Sequence, residues 1–361
     1  MALYMAEAGS PGRSGHRLSI NAGRMVYEAR EAVADLFGAS DPLRVIFTRN
    51  ATEALNLALT GLLGPGDRVV TTGVEHNAVA RPLFALKHRG VSFDVAPCDR
   101  AGVLDLAALK DALRSPVRVV VINHASNVSG ALAPLELISP LVHEAGALLL
   151  LDAAQTAGAL PIDVGALGID LLAFTGHKGL MGPQGTGGLV IGESADPGEI
   201  EPLTRGGTGS RSELEDQPDA LPDRFESGTL NGVGIAGLGA SVRSILEVGV
   251  DAIRAHDMAL TQRLLEGLGD IRGVCIHGPC DPERQTATVS ITFAEHVVTD
   301  IAFRLDDEFG VMTRAGLHCA PWAHRSLGTL PDGTLRLSAG FSTTIEDVDR
   351  AVEALKQVTS A

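Results

Sequence analysis

The sequence is poor in cysteine, which argues against a fold held together by disulfides. Its four cysteines, Cys98, Cys275, Cys280 and Cys319, are scattered over 361 residues. Disulfide frameworks belong to short secreted chains with a dense set of cysteines. Cys275 and Cys280 lack a second pair of zinc ligands nearby in the sequence, so we predict no metal site. We therefore expect a reduced, cytoplasmic protein.

Long apolar runs and clusters of positive charge are also missing. The apolar run at 147–151 is far shorter than the roughly 20 residues that a membrane-spanning helix needs. The N-terminus lacks the basic start and the long apolar core of a signal peptide. The formal net charge is −15, and no run of Lys or Arg stands out. We therefore expect neither a membrane nor a nucleic acid as a partner.

What the sequence does contain is typical of an α/β protein. Hydrophobic residues make up 45% of the chain, aromatic residues only 4%, and there are 42 glycines. From about residue 43, short β-branched runs alternate with helical patterns, which predicts a mostly parallel sheet. The seven predicted strands are 43–48, 68–72, 92–96, 117–123, 147–152, 171–175 and 188–191. The helices predicted between them are 52–63, 79–89, 105–113 and 135–144.

A second α/β segment follows a break in this pattern. Residues 205–234 are rich in Gly, Pro and acidic residues, and a long helical stretch is predicted at 235–268. Strands are then predicted at 288–293, 311–314 and 334–338, with a closing helix from Ile345. We predict two domains, a large one at 1–248 and a smaller C-terminal one at 249–361.

The first candidate site follows the first predicted strand. The segment TRNATE, residues 48–53, separates this strand from a helix. Backbone N–H groups at the start of a helix form an anion site that suits a phosphate. The alternative is an ordinary helix cap made by Asn50 or Thr52.

The second candidate is Asp152, which ends a strand that is otherwise apolar. A buried carboxylate without a partner is costly, so it calls for a cation. A protonated pyridine nitrogen would serve, and the pair would make the ring an electron sink. The alternative is again a helix N-cap.

The third candidate is Lys178, in the glycine-rich segment TGHKG that follows the strand at 171–175. A partly desolvated lysine has a lowered pKa and can form an imine with an aldehyde cofactor. A single loop lysine is usually solvated surface. Here, however, three polar loops each follow a strand, and the carboxyl ends of parallel strands share one edge of a sheet. The three loops together predict a cofactor site.

In this combination the sequence resembles the fold-type I pyridoxal-phosphate enzymes, specifically the class V aminotransferases and, among them, the cysteine desulfurase family. The resemblance runs from GSPGRSGHR, residues 9–17, to the C-terminal helix. It implies pyridoxal 5′-phosphate as the cofactor. The S/T-G-H-K motif of that family matches residues 175–178 and assigns the Schiff base to Lys178.

The resemblance also implies the other cofactor contacts. Asp152 matches the partner of the pyridine nitrogen, and the histidine of the segment EHN, His76, matches the residue that stacks on the ring. Asn127 matches the asparagine that lines the substrate side of the cofactor. The remaining matches are Gln155 at the phenolic oxygen and Ala51, Thr52, Thr175 and His177 at the phosphate.

The segment RAGLHCAP, residues 314–321, resembles the R-x-G-x-H-C-A motif of the sulfur-mobilisation and selenocysteine lyase type of desulfurase. A loop cysteine beside a histidine and an arginine is placed to be partly thiolate. The resemblance makes Cys319 the nucleophile. It also makes Arg336 the residue that binds the substrate carboxylate, for which a guanidinium fork is suited.

The reaction implied by the resemblance converts L-cysteine to L-alanine. Lys178 removes the Cα proton, and the Cys319 thiolate attacks the substrate sulfur to become a persulfide. The segment 225–229, FESGT, resembles one that crosses a dimer interface, so that Thr229 contacts the phosphate of the partner subunit. We therefore expect a homodimer, with a protein as a possible sulfur acceptor.

One departure from the family leaves alternatives open. The family normally opens with a strand that carries an Asp-Asn-Ala-Ala-Thr-like segment, and nothing before Gly9 supplies it. A selenocysteine lyase, another class V aminotransferase or lyase, and a catalytically impaired, non-enzymatic homologue therefore remain as further hypotheses.

Overall fold

The larger sheet of the protein has seven strands in the order β1-β7-β6-β5-β4-β2-β3. The structure, a computed structural model, describes residues 1–11, 15–211 and 213–360; residues 12–14 of the motif GSPGRSGHR lie outside them. β7 runs antiparallel to β1 and β6, and the other neighbours are parallel. The strands are β1 (Val45–Thr48), β2 (Arg68–Thr72), β3 (Ser92–Ala96), β4 (Val119–Asn123), β5 (Leu148–Asp152), β6 (Leu171–Thr175) and β7 (Gly187–Ile191).

A smaller sheet follows in the C-terminal part of the chain. Its order is β10-β11-β9-β8, and each pair is antiparallel. Its strands are β8 (Val274–His277), β9 (Thr288–Phe293), β10 (Arg314–Gly316) and β11 (Thr334–Ser338). The α-helices are α1 (Ala2–Glu7), α2 (Arg17–Phe37), α3 (Ala51–Leu62), α4 (Asn77–Lys87), α5 (Leu106–Ala112), α6 (Leu135–Glu144), α7 (Gly232–Val248), α8 (Val250–Gly269), α9 (Val298–Phe309), α10 (Pro321–Leu327) and α11 (Ile345–Ser360).

Helices cover both faces of the large sheet, which explains its continuous apolar strands. Leu149 and Leu151 pack into the cluster that contains α2, α6 and α7. Leu150 faces the opposite way, into the cluster that contains α3 and α4. A strand buried on both sides needs no polar alternation. The prediction of an α/β fold with a seven-stranded, mostly parallel sheet is confirmed.

The C-terminal sheet has an apolar cluster of its own. Leu264, Ile291, Leu305, Leu337 and Leu355 are buried together, and all of them come from residues after 250. This grouping agrees with a second structural unit after α7. The domain boundary near residue 248 stays a prediction.

The structure corrects the predicted single helix at 235–268. Two helices, α7 and α8, replace it, and they are bent by 81° at Gly249. Gly249 has a φ of 87°, a conformation that glycine adopts without steric cost. Because the sequence has helical periodicity on both sides of this residue, it predicts one continuous helix and not the turn. The predicted strand at 311–314 is also displaced, since β10 begins at Arg314.

Among the described residues, no single helix is both long and apolar enough to cross a bilayer. The consecutive helices α7 and α8 meet that test of length and composition only as a bent pair.

Candidate active site

The loops that follow β1, β2, β4, β5 and β6 meet around one cavity of about 280 Å³. This is the edge of the sheet at which ligands bind in open parallel α/β folds. The structure therefore brings together most of the predicted site residues. The cavity is lined by Ala51, Thr52, His76, Asn127, Asp152, Gln155, Thr175, His177 and Lys178, together with Asn50, Ala78, Asn123, Ala154 and Arg314.

The loop that carries Lys178 is packed too closely for side chains at its glycines. A Cβ at Gly176 would lie 2.1 Å from the hydroxyl of Thr186, and one at Gly179 would lie 2.6 Å from the carbonyl oxygen of Ala157. Ala157 belongs to the turn after Asp152. The glycines thus allow the lysine loop and the aspartate loop to be in direct contact, which fixes the two side chains relative to each other.

The surroundings of Lys178 favour a neutral amine. Burial lowers the pKa of Lys178, and the positive charges of Arg336 and Arg314 lower it further, while Asp152 and Cys319 act in the opposite direction. A lysine with a lowered pKa has a larger fraction of nucleophilic amine near neutral pH. Lys178 is therefore prepared to react with an aldehyde.

Asp152 is a buried carboxyl at the end of β5, and the positive charge of Lys178 acts on it. Asp152 is only 3% exposed, and its Oδ1 accepts a hydrogen bond from the N–H of Ala154 at 2.9 Å. Burial raises the pKa of Asp152. In the described part of the chain, a turn and not a helix follows, so the helix N-cap interpretation is wrong. A cationic ligand in the cavity would give this carboxyl the partner it needs.

His76 is held as a neutral ring at the start of α4. Its Nδ1 accepts a hydrogen bond from the N–H of Ala78 at 3.0 Å, which leaves the ring proton on Nε2. Burial, together with the positive charge of Lys178, lowers the pKa of His76 to about 4. A neutral, oriented ring beside the lysine is suited to stacking on a planar cofactor.

The start of α3 provides an anion site and a helix cap at the same time. The Asn50 side chain accepts a hydrogen bond from the N–H of Glu53 at 3.0 Å, so the expected cap is present. Ala51 and Thr52 occupy the next positions and line the cavity. The first N–H groups of a helix have no acceptor within it and attract anions. Across the cavity, the hydroxyl of Thr175 lies 3.0 Å from Nδ1 of His177.

Arg336 lies at a second cavity of about 450 Å³ that adjoins the first. The two cavities share Lys178 and Asn127, and Nη1 of Arg336 donates to the carbonyl oxygen of Asn127 at 2.9 Å. Several buried polar atoms along this second cavity have no protein partner in the described residues. They are Asn127 Oδ1, Asp257 Oδ1, Thr286 Oγ1, His318 Nδ1 and Arg336 Nε. A polar ligand or water would satisfy them.

Cys319 is exposed and sits on a neighbouring groove, which it shares with His76. Both His318 and Cys319 have a positive φ, 49° and 59°, in the left-handed region that such residues rarely occupy. Such strain is typical of functional loops. The carbonyl oxygen of Cys319 accepts a hydrogen bond from the N–H of Asn77 at 2.8 Å, which ties the loop to α4.

The charged neighbour of the thiol is Arg314, whose Nη2 lies 3.7 Å from Sγ of Cys319. The sequence suggested that His318 would also promote the thiolate. In the structure, its Nε2 lies 3.0 Å from the hydroxyl of Thr334 instead. Burial, with the charge of Arg336, lowers the pKa of His318 to about 3, so the ring carries no charge near neutral pH. Sequence adjacency to Cys319 was misleading for this histidine.

Thr229 is the one predicted cofactor contact that lies away from Lys178 in this chain. It lines a separate cavity of about 370 Å³ with Arg49 and Glu53. Glu226, in the same segment, is anchored by a buried bidentate ion pair with Arg30, at 2.9 and 2.8 Å. Glu226 is thus firmly positioned within the segment at 225–229.

Arg314 opens the motif RAGLHCAP and was expected beside Cys319. In the structure it also lines both cavities. That second position was not predicted from the sequence. Asn123, which ends β4, was missed because a polar end to an apolar strand is common.

Comparisons with known proteins agree with this geometry. The model of the aminotransferase class V family matches residues 1–351. A probable cysteine desulfurase of Methanothermobacter thermautotrophicus is 36% identical over 351 residues, which are 96% of this chain and 87% of the relative. A cysteine desulfurase of Yersinia pestis is 32% identical, over 95% of this chain and 84% of the relative.

Solved structures show the same likeness. The apo cysteine desulfurase of Thermococcus onnurineus NA1 superposes with a TM-score of 0.90 at 32% identity, and the match covers 99% of this chain and 89% of that one. The cysteine desulfurase CsdA of Escherichia coli has a TM-score of 0.87 at 28% identity, with the same coverage.

Proposed function

The chain belongs to the aminotransferase class V family, and we propose that it is a pyridoxal-phosphate-dependent cysteine desulfurase. It converts L-cysteine to L-alanine and receives the sulfur on Cys319 as a persulfide. The observation that carries this proposal is that two cavities and one groove have a lining residue in common. The cavity of Lys178 and Asp152, the cavity of Arg336 and the groove of Cys319 all meet at His76.

The residues of the first cavity fit pyridoxal 5′-phosphate. Lys178 would hold the aldehyde carbon, and the buried Asp152 would hold the pyridine nitrogen. Ala51, Thr52, Thr175 and His177 would hold the phosphate, Gln155 the phenolic oxygen and His76 the ring face. When bound, this group supplies an electron sink for the pair released at the substrate Cα.

The substrate is positioned by Arg336 and deprotonated by Lys178. The Arg336 guanidinium, whose Nε has no protein partner in the described part of the chain, binds the carboxylate of L-cysteine. Nζ of Lys178, made less basic by burial and by Arg314, takes the Cα proton. Asn127 lines both the cavity of Lys178 and the cavity of Arg336. Its carbonyl oxygen accepts a hydrogen bond from Arg336, and its side-chain amide donates one to the carbonyl oxygen of His318 at 2.7 Å.

Cys319 receives the sulfur. Sγ of Cys319, which lies 3.7 Å from Nη2 of Arg314, attacks the sulfur of the substrate as a thiolate, so that an S–S bond forms and the C–S bond breaks. The electron pair of the broken bond stays with the three-carbon fragment, which takes up a proton and leaves as alanine. One cysteine and one enzyme thiol thus give one alanine and one enzyme persulfide, and no external oxidant is needed.

We propose in addition that the enzyme is a homodimer and that a protein thiol accepts the sulfur. The rigid anchoring of Glu226 beside Thr229 supports the first idea, since a segment that reaches a partner's phosphate must be held firmly. The exposure of Cys319 supports the second, since an acceptor must reach Sγ.

The test uses purified holoenzyme and the variant Cys319→Ala, each with L-cysteine and with L-selenocysteine. We expect the variant to keep its yellow colour and to lose sulfur release from L-cysteine. If Cys319→Ala loses sulfur release from L-cysteine but keeps selenium release from L-selenocysteine, the enzyme is a selenocysteine lyase in addition to a cysteine desulfurase. Full sulfur release from L-cysteine by Cys319→Ala would refute the assignment of the nucleophile, and a colourless protein that takes up no pyridoxal phosphate would refute the whole proposal.

A further inference from the structure

Glu75 is a buried carboxyl that lies beneath the candidate active site and has no part in the reaction described so far. Glu75 directly precedes His76 in the chain and is 0% exposed. The loop that carries it connects β2, which ends at Thr72, to α4. A carboxyl in such a place must be either paired or protonated.

The two oxygens of Glu75 have very different surroundings. Oε1 accepts a hydrogen bond from the hydroxyl of Thr72 at 2.6 Å and another from the N–H of Asn123 at 3.0 Å. Oε2 is buried and, within the described residues, has no hydrogen-bond partner. This asymmetry fits a neutral acid, in which Oε1 is the carbonyl oxygen and Oε2 carries the proton. An ionised carboxylate would leave half of its charge unsolvated.

Burial and the charge of Asp152 also oppose ionisation. Burial raises the pKa of Glu75 to about 8, and the negative charge of Asp152 contributes in the same direction. Asp152 is the register partner of Asn123, so only the end of β4 separates the two carboxyls. Two further titratable neighbours are uncharged near neutral pH: burial raises the pKa of the Cys98 thiol to about 12, and burial lowers the pKa of His76 to about 4.

We propose that Glu75 is a positioning residue that acts as a neutral acid. It binds the ends of β2 and β4 together under His76 and leaves Asp152 as the single negative charge below the cofactor ring. The part of this inference that concerns the ring rests on the proposed function. The part that concerns the proton of Glu75 rests on this chain alone.

The structural basis is that Glu75 links three parts of the site. Its Oε1 fixes the backbone of Asn123, whose side chain in turn donates to the carbonyl oxygen of Val74 at 3.3 Å. Asn123 lines the cofactor cavity, as does His76. A second negative charge at Glu75 would raise the cost of ionising Asp152, the group that must be charged to hold a protonated pyridine nitrogen.

The test compares the wild type with Glu75→Gln in urea unfolding of the cofactor-free protein from pH 5 to pH 9. Since the folded pKa is above the unfolded one, the folded wild type holds a proton that the unfolded chain loses above about pH 4.5. The contribution of Glu75 to wild-type stability therefore falls with rising pH up to about pH 8 and then levels off. Glutamine has no such proton, so the unfolding constant of the wild type relative to the variant should rise about tenfold per pH unit in that window.

The matched control is Glu144→Gln, which removes an exposed carboxyl at the end of α6. Its unfolding constant should keep a nearly fixed ratio to that of the wild type across this range. Parallel curves for Glu75→Gln and the wild type would overturn the proposal, because they would show that Glu75 is ionised in the folded protein.

A second measurement tests the positioning role through cofactor retention. Glu75→Gln keeps an oxygen for Thr72 and Asn123 and should release pyridoxal phosphate during dialysis at pH 7 as slowly as the wild type does. Glu75→Ala leaves the N–H of Asn123 unpaired and should release pyridoxal phosphate at least tenfold faster than the wild type. Equal release rates for the two variants would overturn the positioning role. If the wild type bound no pyridoxal phosphate, the proposed function would fail, whereas the unfolding experiment would still decide the protonation of Glu75.

Discussion

At the scale of single residues, Lys178 acquires its chemistry from its neighbours. Burial lowers the pKa of its amine, the negative charge of Asp152 raises it, and the positive charges of Arg336 and Arg314 lower it. The sequence predicted Lys178, Asp152 and Cys319 because each belongs to a recognisable motif. It did not predict the neutral Glu75 or the effect of Arg314 on the pKa of Lys178, since burial and through-space charge are properties of the folded chain.

Arg336 offers a direct test of substrate binding. Arg336→Lys keeps the positive charge but loses the fork that binds both carboxylate oxygens, and it removes the hydrogen bond to the carbonyl of Asn127. We expect kcat/KM for L-cysteine to fall by roughly 10- to 100-fold, mostly through KM, because a hydrogen bond to a charged group contributes about 1.5–3 kcal/mol. The visible spectrum of the resting enzyme should not change. An unchanged KM would show that the carboxylate binds elsewhere.

Asp152→Asn should reduce activity without reducing the stability of the cofactor-free protein. Asp152→Asn removes the carboxylate that keeps the pyridine nitrogen protonated, so turnover should fall by at least about 100-fold, in line with about 3–5 kcal/mol for a broken buried ion pair. In the cofactor-free protein the same change removes a carboxyl whose pKa is raised by burial. Thermal unfolding near neutral pH should then occur no earlier than in the wild type. A clear loss of apo-protein stability would show that Asp152 has another partner.

At the scale of elements, the strands were predictable and the bends were not. β2, β3, β6, β9 and β11 have the predicted boundaries. β2 and β9 are buried β-branched runs and β6 and β11 are largely buried apolar runs, whereas β3 is mostly exposed and was identified by the turn residues around it. β8 escaped prediction, since its side chains are partly exposed and its apolar pattern is weak. The helix α2 also escaped prediction, although its amphipathic pattern is visible once its position is known.

The contact between the lysine loop and the aspartate loop makes a prediction at this scale. Gly179→Ala places a Cβ about 2.6 Å from the carbonyl oxygen of Ala157, so the two loops must separate. We expect a loss of about 1–3 kcal/mol in the free energy of unfolding, as for other overpacked sites, and faster release of the cofactor. The matched control is Gly269→Ala at the end of α8, where nothing lies within 4 Å of an added Cβ. Equal effects of the two substitutions would show that the loop contact does not position Lys178.

At the scale of the whole molecule, the buried ion pair between Arg30 and Glu226 connects α2 to the segment that carries Thr229. Both side chains are 4% exposed, and Glu226 also accepts a hydrogen bond from the N–H of Phe47 at 2.6 Å. Composition indicated an α/β protein, but no pattern in the sequence indicated that residues 196 positions apart form a pair. Pairs of this kind become visible only in the fold.

This ion pair predicts how the proposed dimer responds to a single change. Glu226→Gln leaves the Arg30 charge buried without its partner, which should cost about 3–5 kcal/mol of stability. By loosening the segment at 225–229, it should also shift the sedimentation equilibrium from dimer towards monomer. Glu308→Gln, at the exposed pair with Arg304, is the control and should change little. A wild-type protein that sediments as a monomer at all concentrations would contradict the proposed dimer.

One single-turnover measurement shows directly whether sulfur leaves L-cysteine by transfer to Cys319. Holoenzyme is mixed with an equal amount of L-cysteine in the absence of reductant, alanine is quantified, and the peptide that contains Cys319 is weighed by mass spectrometry. If Cys319 receives the sulfur, we expect one alanine for each sulfur atom gained by that peptide. Alanine formed without added sulfur on Cys319 would contradict it, and so would sulfur found on Cys98, Cys275 or Cys280 in its place.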